Sequence, residues 1–423
     1  MEKTYHKHTL EAVELLKKLI ATPSVSRDEK VAADILEAYM TEKGLNPQRH
    51  GNNVWCVSPL QTLPSPSLQG GGSIPTNEKN NENATEQGNH SLPIGRVREG
   101  STILLNAHID TVKPVAGWQH DPFTPTLEGD KLYGLGSNDC GGGLVALLMA
   151  YMKTLKTLPS PSLQGGGSIP TNEKNNGNAT EQGNHSLPVG RVRGGSSLIF
   201  LASCEEEVSG KNGIESVLPL LPKIDFAIVG EPTGMQPAIA EKGLMVIDAV
   251  AHGKAGHAAR NEGDNAIYHA MKDIEWLSKW QFPKQTELLG PVKQTVTIIN
   301  AGTQHNVIPD TCTFTIDVRS NECYTNEEIF AFFQKHLTSE LKARSFRLSS
   351  SKIETSHPFV QACIKEGLTP FGSPTLSDQA LMRFPSLKLG PGDSSRSHTA
   401  DEYIKISEID NAISLYIKLL QSV

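Results

Sequence analysis

Two stretches near the start of the chain repeat apolar residues with the spacing of a helix. The first covers residues 9–20 and is followed by Pro23, which a helix interior does not tolerate. The second follows Ser26 and Glu29, which stand at the spacing of a capping box, and it closes at Gly44. We therefore expect two amphipathic helices at the start of the chain.

Further along, short continuous apolar runs are typical of buried strands, and each run is followed by a residue that could bind a ligand. His108 and Asp110 follow the first run two residues apart, so both would project on one side of a strand, as a metal ligand and its orienting partner do. The predicted strands and the residues after them are 103–107 with His108 and Asp110, 131–138 with Asp139, 197–203 with Glu205, Glu206 and Glu207, 224–229 with Glu231, and 386–389 with His398. Open α/β sheets bind ligands at the carboxyl ends of their strands, so these residues predict one shared site.

The pattern changes between residues 243 and 350. The predicted order is strand 244–252, helix 265–280, strands 295–300 and 313–318, a helix from Thr325 to Leu341, and strand 345–348. This β-α-β-β-α-β order is ferredoxin-like. Because the unit falls between Glu231 and His398, we expect a domain inserted into a catalytic α/β domain formed by residues 1–242 and 351–423.

Residues 63–99 recur as residues 158–194 with three differences, at Glu82 against Gly177, Ile94 against Val189 and Glu99 against Gly194. Both copies are rich in Gly, Pro, Asn and Ser and show no hydrophobic periodicity. Such a composition buries too little apolar surface to offset the ordering entropy, so we expect disordered surface insertions in the catalytic domain. A binding role for them is the alternative.

Charge and composition exclude several classes of partner. The chain has 423 residues and a formal net charge of −7, so it lacks the basic surface that nucleic acid or an anionic membrane would require. Its longest apolar run, residues 144–152, is too short for a membrane span, and the N-terminus has no apolar signal core. The six cysteines show no close pairing, which favours reduced thiols and a cytoplasmic protein.

Taken together, the motifs resemble those of the di-zinc aminoacylase and acetylornithine deacetylase family of metallohydrolases, which also includes succinyl-diaminopimelate desuccinylases, dipeptidases and carboxypeptidases. The resemblance covers nearly the whole chain apart from the repeats. It rests on His108-Ile109-Asp110, Gly136-Ser137-Asn138-Asp139, Glu206-Glu207, Gly230-Glu231-Pro232-Thr233, Gly256-His257, Asn306-Val307-Ile308-Pro309 and Gly390-Pro391-Gly392 with His398. It implies a zinc-exopeptidase-like catalytic domain, with a mixed central sheet flanked by helices, and a lid or dimerisation domain.

The resemblance also implies a role for each site residue. One zinc ion would be held by His108 and Glu231, the other by Glu207 and His398, and Asp139 would bridge them, while Asp110 orients His108 and Glu206 acts as the general base. Cobalt or manganese could replace zinc, because the ligands are imidazoles and carboxylates. A shift by one residue would make Glu205 the base and Glu206 the ligand. Cys140 stands where many relatives have a lysine, and we expect it to be a small buried residue instead of a ligand.

In the inserted domain, the resemblance assigns His257 to the substrate carbonyl, Asn306 to the substrate backbone and Arg319 to its carboxylate. An ordinary salt bridge is the alternative for Arg319. The family's equivalent domain dimerises, so we expect a homodimer in which His257 completes the partner's site.

The function expected from the resemblance is hydrolysis of a small N-acyl amino acid, foremost N-acetylornithine or N-succinylornithine in arginine biosynthesis. A succinyl-diaminopimelate desuccinylase or a dipeptidase of the same family is the alternative. Ser349-x-x-Lys352 would fit a serine hydrolase but lacks a companion motif, and a non-catalytic metal-binding module would not need Glu206.

Overall fold

The computed structural model describes residues 5–59, 101–157, 196–260 and 262–422. Both repeats lie outside these ranges, so their expected disorder stays a prediction. The α-helices are α1 (Lys7–Ile20), α2 (Lys30–Glu42), α3 (Gly142–Thr157), α4 (Ile214–Val217), α5 (Ala266–Lys279), α6 (Asn326–His336), α7 (Pro358–Lys365) and α8 (Ile406–Gln421). None of these helices is both long and apolar enough to cross a membrane.

The main sheet has a parallel centre with antiparallel strands on both sides. The strands of the described residues are β1 (Gln48–His50), β2 (Asn53–Pro59), β3 (Thr102–His108), β4 (Thr126–Glu128), β5 (Lys131–Tyr133), β6 (Ser197–Ser203), β7 (Phe226–Val229), β8 (Ala238–Glu241), β9 (Met245–His252), β10 (Gly256–His257), β11 (Lys293–Ala301), β12 (Val307–Ile308), β13 (Thr311–Arg319), β14 (Glu340–Ala343), β15 (Ser351–Lys352), β16 (Phe371–Ser373), β17 (Ser386–Lys388) and β18 (Tyr403–Lys405). The sheet runs β1-β2-β6-β3-β7-β17-β8-β15, with β16 also paired to β8. Strands β6, β3, β7 and β17 are mutually parallel, so their carboxyl ends meet at one edge.

The core of this domain lies between the sheet and helices α1, α3 and α8. Every residue of β3 is buried, and so is nearly every residue of α3 from Leu144 to Met152. A helix that is apolar all round must be covered on all sides, and α3 contacts α1 and α8 as well as β3 and β6. Burial of each leucine in this layer contributes about 2 kcal/mol to stability.

The inserted domain confirms the expected β-α-β-β-α-β order. Its antiparallel sheet runs β11-β13-β9-β14 and packs its own apolar core against α5 and α6. Helix α6 begins with the expected capping box, in which the Thr325 hydroxyl and the Glu328 carboxylate each accept a main-chain N–H of the other residue. The expected fold class, a mixed α/β sheet flanked by helices with a ferredoxin-like insertion, is therefore present.

Two predicted boundaries in this domain are wrong. Helix α6 ends at His336 instead of Leu341, because Leu337 adopts an extended backbone and turns its side chain into the core. The last strand is Glu340–Ala343 instead of residues 345–348, and it pairs with β9. Phe346, within the predicted strand, packs against the same core from an irregular segment.

Two further expectations in the catalytic domain are also wrong. Only Lys131–Tyr133 of the predicted strand 131–138 is extended, and it joins a separate small sheet, β18-β5-β4. The capping box at Ser26 and Glu29 is not formed. The Ser26 hydroxyl donates to Asp110 Oδ2 at 2.7 Å instead, and Glu29 accepts hydrogen bonds from Arg27 and Asn52.

The chain enters and leaves the inserted domain side by side. It enters after β8 and returns as β15, and these two strands pair at Glu241 and Ser351. Just beyond them, the Leu244 N–H donates to the Leu348 carbonyl at 3.0 Å. The two connections therefore form a single narrow neck.

Candidate metal centre

The parallel strands bring their terminal residues to one edge of the sheet. His108 is the last residue of β3 and lies opposite Ser203, the last residue of β6. Glu206 and Glu207 follow β6, and Glu231 follows β7 on the other side of β3. The sequence prediction that apolar runs deliver these side chains to a common place therefore agrees with the geometry.

Asp139 reaches the same place by another route. It lies in a turn before α3 instead of at the end of a sheet strand. The buried Glu402 carboxylate holds this turn by accepting the main-chain N–H groups of Gly136, Asn138 and Asp139 at 3.0, 2.8 and 2.9 Å. Our reading of the sequence missed Glu402, because its partners are more than 260 residues away along the chain. The sequence signal that could have pointed to Glu402 is its position, an acidic residue four places after His398.

Close backbone packing fixes the position of Glu231. A Cβ on Gly143 would lie 1.7 Å from the carbonyl oxygen of Gly230, and one on Gly390 would lie 2.5 Å from the same atom. Neither position can therefore hold a larger residue without moving the backbone. The start of α3 and the segment after β17 thus both pack directly against the peptide that carries Glu231.

The two histidines face opposite oxygens of Asp139. His108 Nε2 is 3.2 Å from Asp139 Oδ1, and His398 Nε2 is 3.6 Å from Asp139 Oδ2. His108 Nε2 is also 3.7 Å from Glu231 Oε1, while His398 Nε2 is 3.0 Å from Glu207 Oε2. The cluster thus consists of two imidazole–carboxylate groups that share one carboxylate.

Burial and mutual repulsion shift the titration of this cluster. Burial, with the nearby Asp139 charge, raises the pKa of Glu231 to about 8, and burial raises the pKa of Glu206 well above its usual range. The hydrogen bond that the His398 imidazole donates to the Glu207 carboxylate raises the pKa of His398 to about 9. Such a concentration of carboxylates is costly unless cations balance it.

The donor set fits two divalent cations. Glu231 Oε1 is buried without a hydrogen-bond partner in the described part of the chain. Buried oxygens normally have a partner, so this one is available to bind a cation. Ligand atoms from Asp139, Glu207 and His398 lie within 4.8 Å of one another, as do those of His108, Cys140 and Glu231. Burial raises the pKa of the Cys140 thiol to about 12, which keeps it protonated and a poor ligand.

The geometry separates the three consecutive glutamates. Glu205 is turned away into the protein, where its carboxylate accepts the Asn212 side-chain amide at 2.9 Å and the Asn212 main-chain N–H at 3.4 Å. Glu206 and Glu207 line the cavity beside the cluster, and Glu206 Oε2 is 4.0 Å from His108 Nε2. This arrangement favours Glu206 and Glu207, over Glu205 and Glu206, as the chemically active pair.

Asp110 contacts His108 differently from the expectation. His108 Nδ1 is 2.9 Å from the main-chain oxygen of Asp110 and 3.6 Å from its carboxylate. The carboxylate instead accepts the main-chain N–H groups of Glu206 and Glu207 at 3.0 and 3.1 Å, as well as the Ser26 hydroxyl. One residue therefore orients the imidazole with its backbone and fixes the acidic turn with its side chain.

A cavity of about 390 Å³ opens beside the cluster, which is the size of a small-molecule site. The residues that line it also include Phe371, Thr375 and Lys388. Lys388 is buried, with its ammonium 3.0 Å from the Thr375 hydroxyl and 3.3 Å from Glu241 Oε2. The cavity thus has a buried ammonium group in its lining, which our reading of the sequence did not single out.

The residues expected in the inserted domain are not among those that line this cavity. His257 and Asn306 come together through the β10–β12 ribbon, where His257 pairs with Val307 and its side chain is exposed. Arg319 forms a two-pronged salt bridge with Asp317 at 2.8 and 3.1 Å, the alternative considered for it. Within one chain, the structure therefore unites the expected metal ligands with Glu206 and Asp110, but not these three residues.

A mixed sheet flanked by helices, a shared imidazole–carboxylate cluster and an inserted ferredoxin-like domain are together typical of dinuclear metallohydrolases. A family model for the peptidase dimerisation domain matches residues 239–345, and one for peptidase family M20/M25/M40 matches residues 104–163. The chain is thus similar to the M20/M25/M40 family over these two segments, which confirms the resemblance seen in the sequence.

Curated relatives and solved structures agree with this similarity. Succinyl-diaminopimelate desuccinylase from Gluconobacter oxydans is 27% identical over 251 residues, which are 56% of this chain and 57% of that protein. Succinyl-diaminopimelate desuccinylase 2 from a Ruegeria species is 22% identical, with 98% of this chain and 95% of the relative aligned. The aminopeptidase PepT of Bacillus cereus matches with a TM-score of 0.65 at 16% identity, over 98% of both chains. The protein YXEP of Bacillus subtilis, described as a dinuclear metal-binding peptidase, matches with a TM-score of 0.61 at 14% identity, over 98% of this chain and 99% of that one.

Proposed function

We propose that this protein is a metal-dependent amidohydrolase that removes the acyl group from an N-acyl amino acid. The observation that carries the proposal is Asp139, whose two oxygens face His108 and His398 separately. In this proposal His108 and Glu231 hold one divalent ion, Glu207 and His398 hold the other, and Asp139 contacts both. Zinc suits imidazole and carboxylate donors, with cobalt or manganese as substitutes.

Glu206 is the residue left to move protons. When bound, two divalent ions acidify water and polarise the carbonyl of the scissile amide. A carboxylate of Glu206 accepts the proton of the attacking water and returns it to the leaving amine. Asp110 keeps Glu206 in place through the hydrogen bond to its main-chain N–H at 3.0 Å.

Among possible acyl groups we favour succinyl. Relatives named succinyl-diaminopimelate desuccinylase support this choice over the N-acetylornithine substrate expected from the sequence motifs. Lys388 gives a chemical reason, because its ammonium lines the cavity and could bind the carboxylate of a succinyl group in place of the Thr375 hydroxyl. An acetyl group carries no charge for Lys388 to bind.

We also propose a homodimer through the inserted domain. Strand β11 is an edge strand with an unpaired side, and Ile298 and Ile299 on it are each 51% exposed. Tyr268 and Met271 on α5 are exposed as well. A second copy would cover this edge and its apolar residues, and could bring its His257 to the substrate carbonyl. The cytoplasmic location expected from the cysteines stays part of the proposal.

The direct test is hydrolysis of N-succinyl-diaminopimelate, N-acetylornithine and a dipeptide by protein that has been stripped with a chelator and reloaded with zinc. We expect activity only after reloading and the highest kcat/KM for the succinyl substrate. Glu206→Gln should keep its zinc and lose roughly 10²- to 10⁴-fold in kcat. A zinc-replete Glu206→Gln protein with full activity would overturn the role of Glu206.

The acyl preference needs a variant that leaves no buried charge unpaired. Lys388→Met combined with Glu241→Gln removes both charges of the pair together. We expect kcat/KM for the succinyl substrate to fall roughly 10- to 100-fold relative to the acetyl substrate, since a hydrogen bond to a charged group contributes ~1.5–3 kcal/mol. An equal loss on both substrates would contradict recognition of the acyl carboxylate by Lys388.

A further inference from the structure

A second group of metal-ligand side chains lies far from the catalytic cluster. His6 and His8 stand at the start of α1, and Asp410 faces them from α8. Further along α1, Leu16 lies beside His108 in the wall of a small cavity. The ten residues from His6 to Leu16 correspond to roughly 15 Å at the rise of a helix, so the two groups are separate sites.

The three side chains already converge. The imidazole rings of His6 and His8 are nearly parallel, at 9°, with centroids 5.1 Å apart. His6 Nδ1 lies 3.0 Å from Asp410 Oδ1, and one ligand atom from each of the three residues falls within 4.8 Å of the other two. A bound ion would need a side-chain adjustment of an ångström or so, because ligands of one zinc ion stand about 3–4 Å apart.

The hydrogen bonds within this group leave ligand atoms unused. His8 Nε2 is buried and has no hydrogen-bond partner in the described ranges. The contacts made to Asp410 by Thr9, by the His6 ring and by the His6 main chain all go to Oδ1, so Oδ2 accepts none from the described residues. A buried imidazole nitrogen without a partner is uncommon and requires an explanation.

The charge states suit a cation. Burial lowers the pKa of His8, and the nearby Lys153 ammonium lowers it further, so its imidazole is neutral at pH 7 and keeps a free lone pair. Burial opposes ionisation of Asp410, yet hydrogen bonds from Thr9 and His6 bring the pKa of its carboxyl below the usual value. The group therefore offers a neutral imidazole and a carboxylate without first having to lose a proton from either.

We propose that His6, His8 and Asp410 bind one divalent transition-metal ion of the zinc class, with water as the remaining ligand. Two imidazoles and a carboxylate are a ligand set that zinc accepts in a tetrahedral site. The ion joins the first turn of α1 to α8, two helices that also pack together along the core. Its role is structural and it does not depend on the proposed amidohydrolase function.

The test is zinc stoichiometry by elemental analysis on the full chain, after chelation and dialysis against buffered zinc. His6→Ala and His8→Ala should each bind one zinc ion fewer per chain than the wild type, and zinc should raise their melting temperatures less. Lys7→Ala, between the two histidines, is the matched control and should bind as many ions as the wild type. His6 is largely exposed, so its replacement should not impair folding.

Equal zinc content in wild type, His6→Ala and His8→Ala would overturn the proposal. The comparison of zinc content between wild type and variants stays valid whether or not the catalytic cluster binds zinc. The variants should contain one zinc ion fewer than the wild type even if the wild type binds no other ion. Conversely, Asp139→Asn should lose zinc from the catalytic cluster. If adding His8→Ala to Asp139→Asn still removes one zinc ion per chain, the two sites are separate.

Discussion

Replacing Glu402 with glutamine tests how the turn before α3 presents Asp139. Glu402 Oε1 accepts two main-chain N–H groups and Oε2 accepts one, and the side chain is 2% exposed. The amide of glutamine offers one acceptor oxygen, so at least one buried N–H loses its partner, at a cost of about 1–3 kcal/mol. The remaining bonds change from charge-assisted to neutral, which costs roughly 1 kcal/mol more.

Burial of the ionised carboxylate offsets part of this loss, because burial and the Asp139 charge raise the pKa of Glu402 to about 7. We therefore expect Glu402→Gln to lower the free energy of unfolding of the metal-free protein by less than the ~2–4 kcal/mol of the lost hydrogen bonds. Displacement of Asp139 should also weaken zinc binding roughly 10- to 100-fold, as is usual for partners that orient a metal ligand.

Urea unfolding of the metal-free protein and zinc titration by calorimetry measure the two effects. Glu366→Gln is the control, because Glu366 pairs with the exposed Lys418 and such surface pairs contribute less than about 1 kcal/mol. If Glu402→Gln matches Glu366→Gln in both assays, the turn does not depend on the Glu402 carboxylate and the reasoning is wrong.

Three other expectations concern assembly, pH and the repeats. Mixing His257→Ala with Glu206→Gln subunits should restore about a quarter of wild-type activity. Half of the dimers would be mixed, and each mixed dimer would hold one complete site out of two. No recovery after verified subunit exchange would exclude His257 acting across the interface. Zinc uptake at pH 7 should release about two protons and weaken as the pH falls from 9 to 6. The reason is that His398 and Glu231, with pKa values of about 9 and 8 before binding, must both lose a proton. Calorimetry in buffers of different ionisation enthalpy would detect this release. Deleting both repeats should leave kcat and the melting temperature nearly unchanged, because loop closure costs only about 0.6 kcal/mol per doubling of length; a large drop in either would show that the repeats pack on the protein.

The deletion prediction has a geometric basis in the main sheet. The first repeat falls between Pro59 and Thr102, and both of these residues pair with Ser197 at the start of β6. The second repeat falls in the connection that leads into Ser197. Described residues that flank the two repeats thus lie at the amino end of β6, while the metal cluster gathers at the carboxyl end of the same strand.

Local sequence patterns were sufficient to predict those strands that are formed by one continuous apolar run. Continuous apolar runs identified β3, β6 and β7, and the parallel order of the sheet then carried His108, Glu207 and Glu231 to one edge. Asp139 lies among the other candidate residues, but not at the end of the predicted strand, since its turn is held by Glu402.

The rest could not be read locally because it depends on contacts between distant parts of the chain. Ser26 has the sequence context of a helix cap, but a carboxylate 84 residues away binds its hydroxyl. Lys388 lies inside a predicted apolar strand and becomes recognisable only when Glu241 and Thr375 fold around it. A periodic pattern records which face of an element is buried, but it does not record what the polar residues on that face will meet.

The narrow neck brings the two ends of the inserted domain together. Its entry at Leu244 and exit at Leu348 are joined by a hydrogen bond of 3.0 Å, and it has a core of its own. A segment whose two ends meet can be cut out or exchanged without stretching either part of the host. The segment 243–350 is therefore suited to exchange between related proteins as one piece, so that the proposed dimer contacts and catalysis can be varied independently.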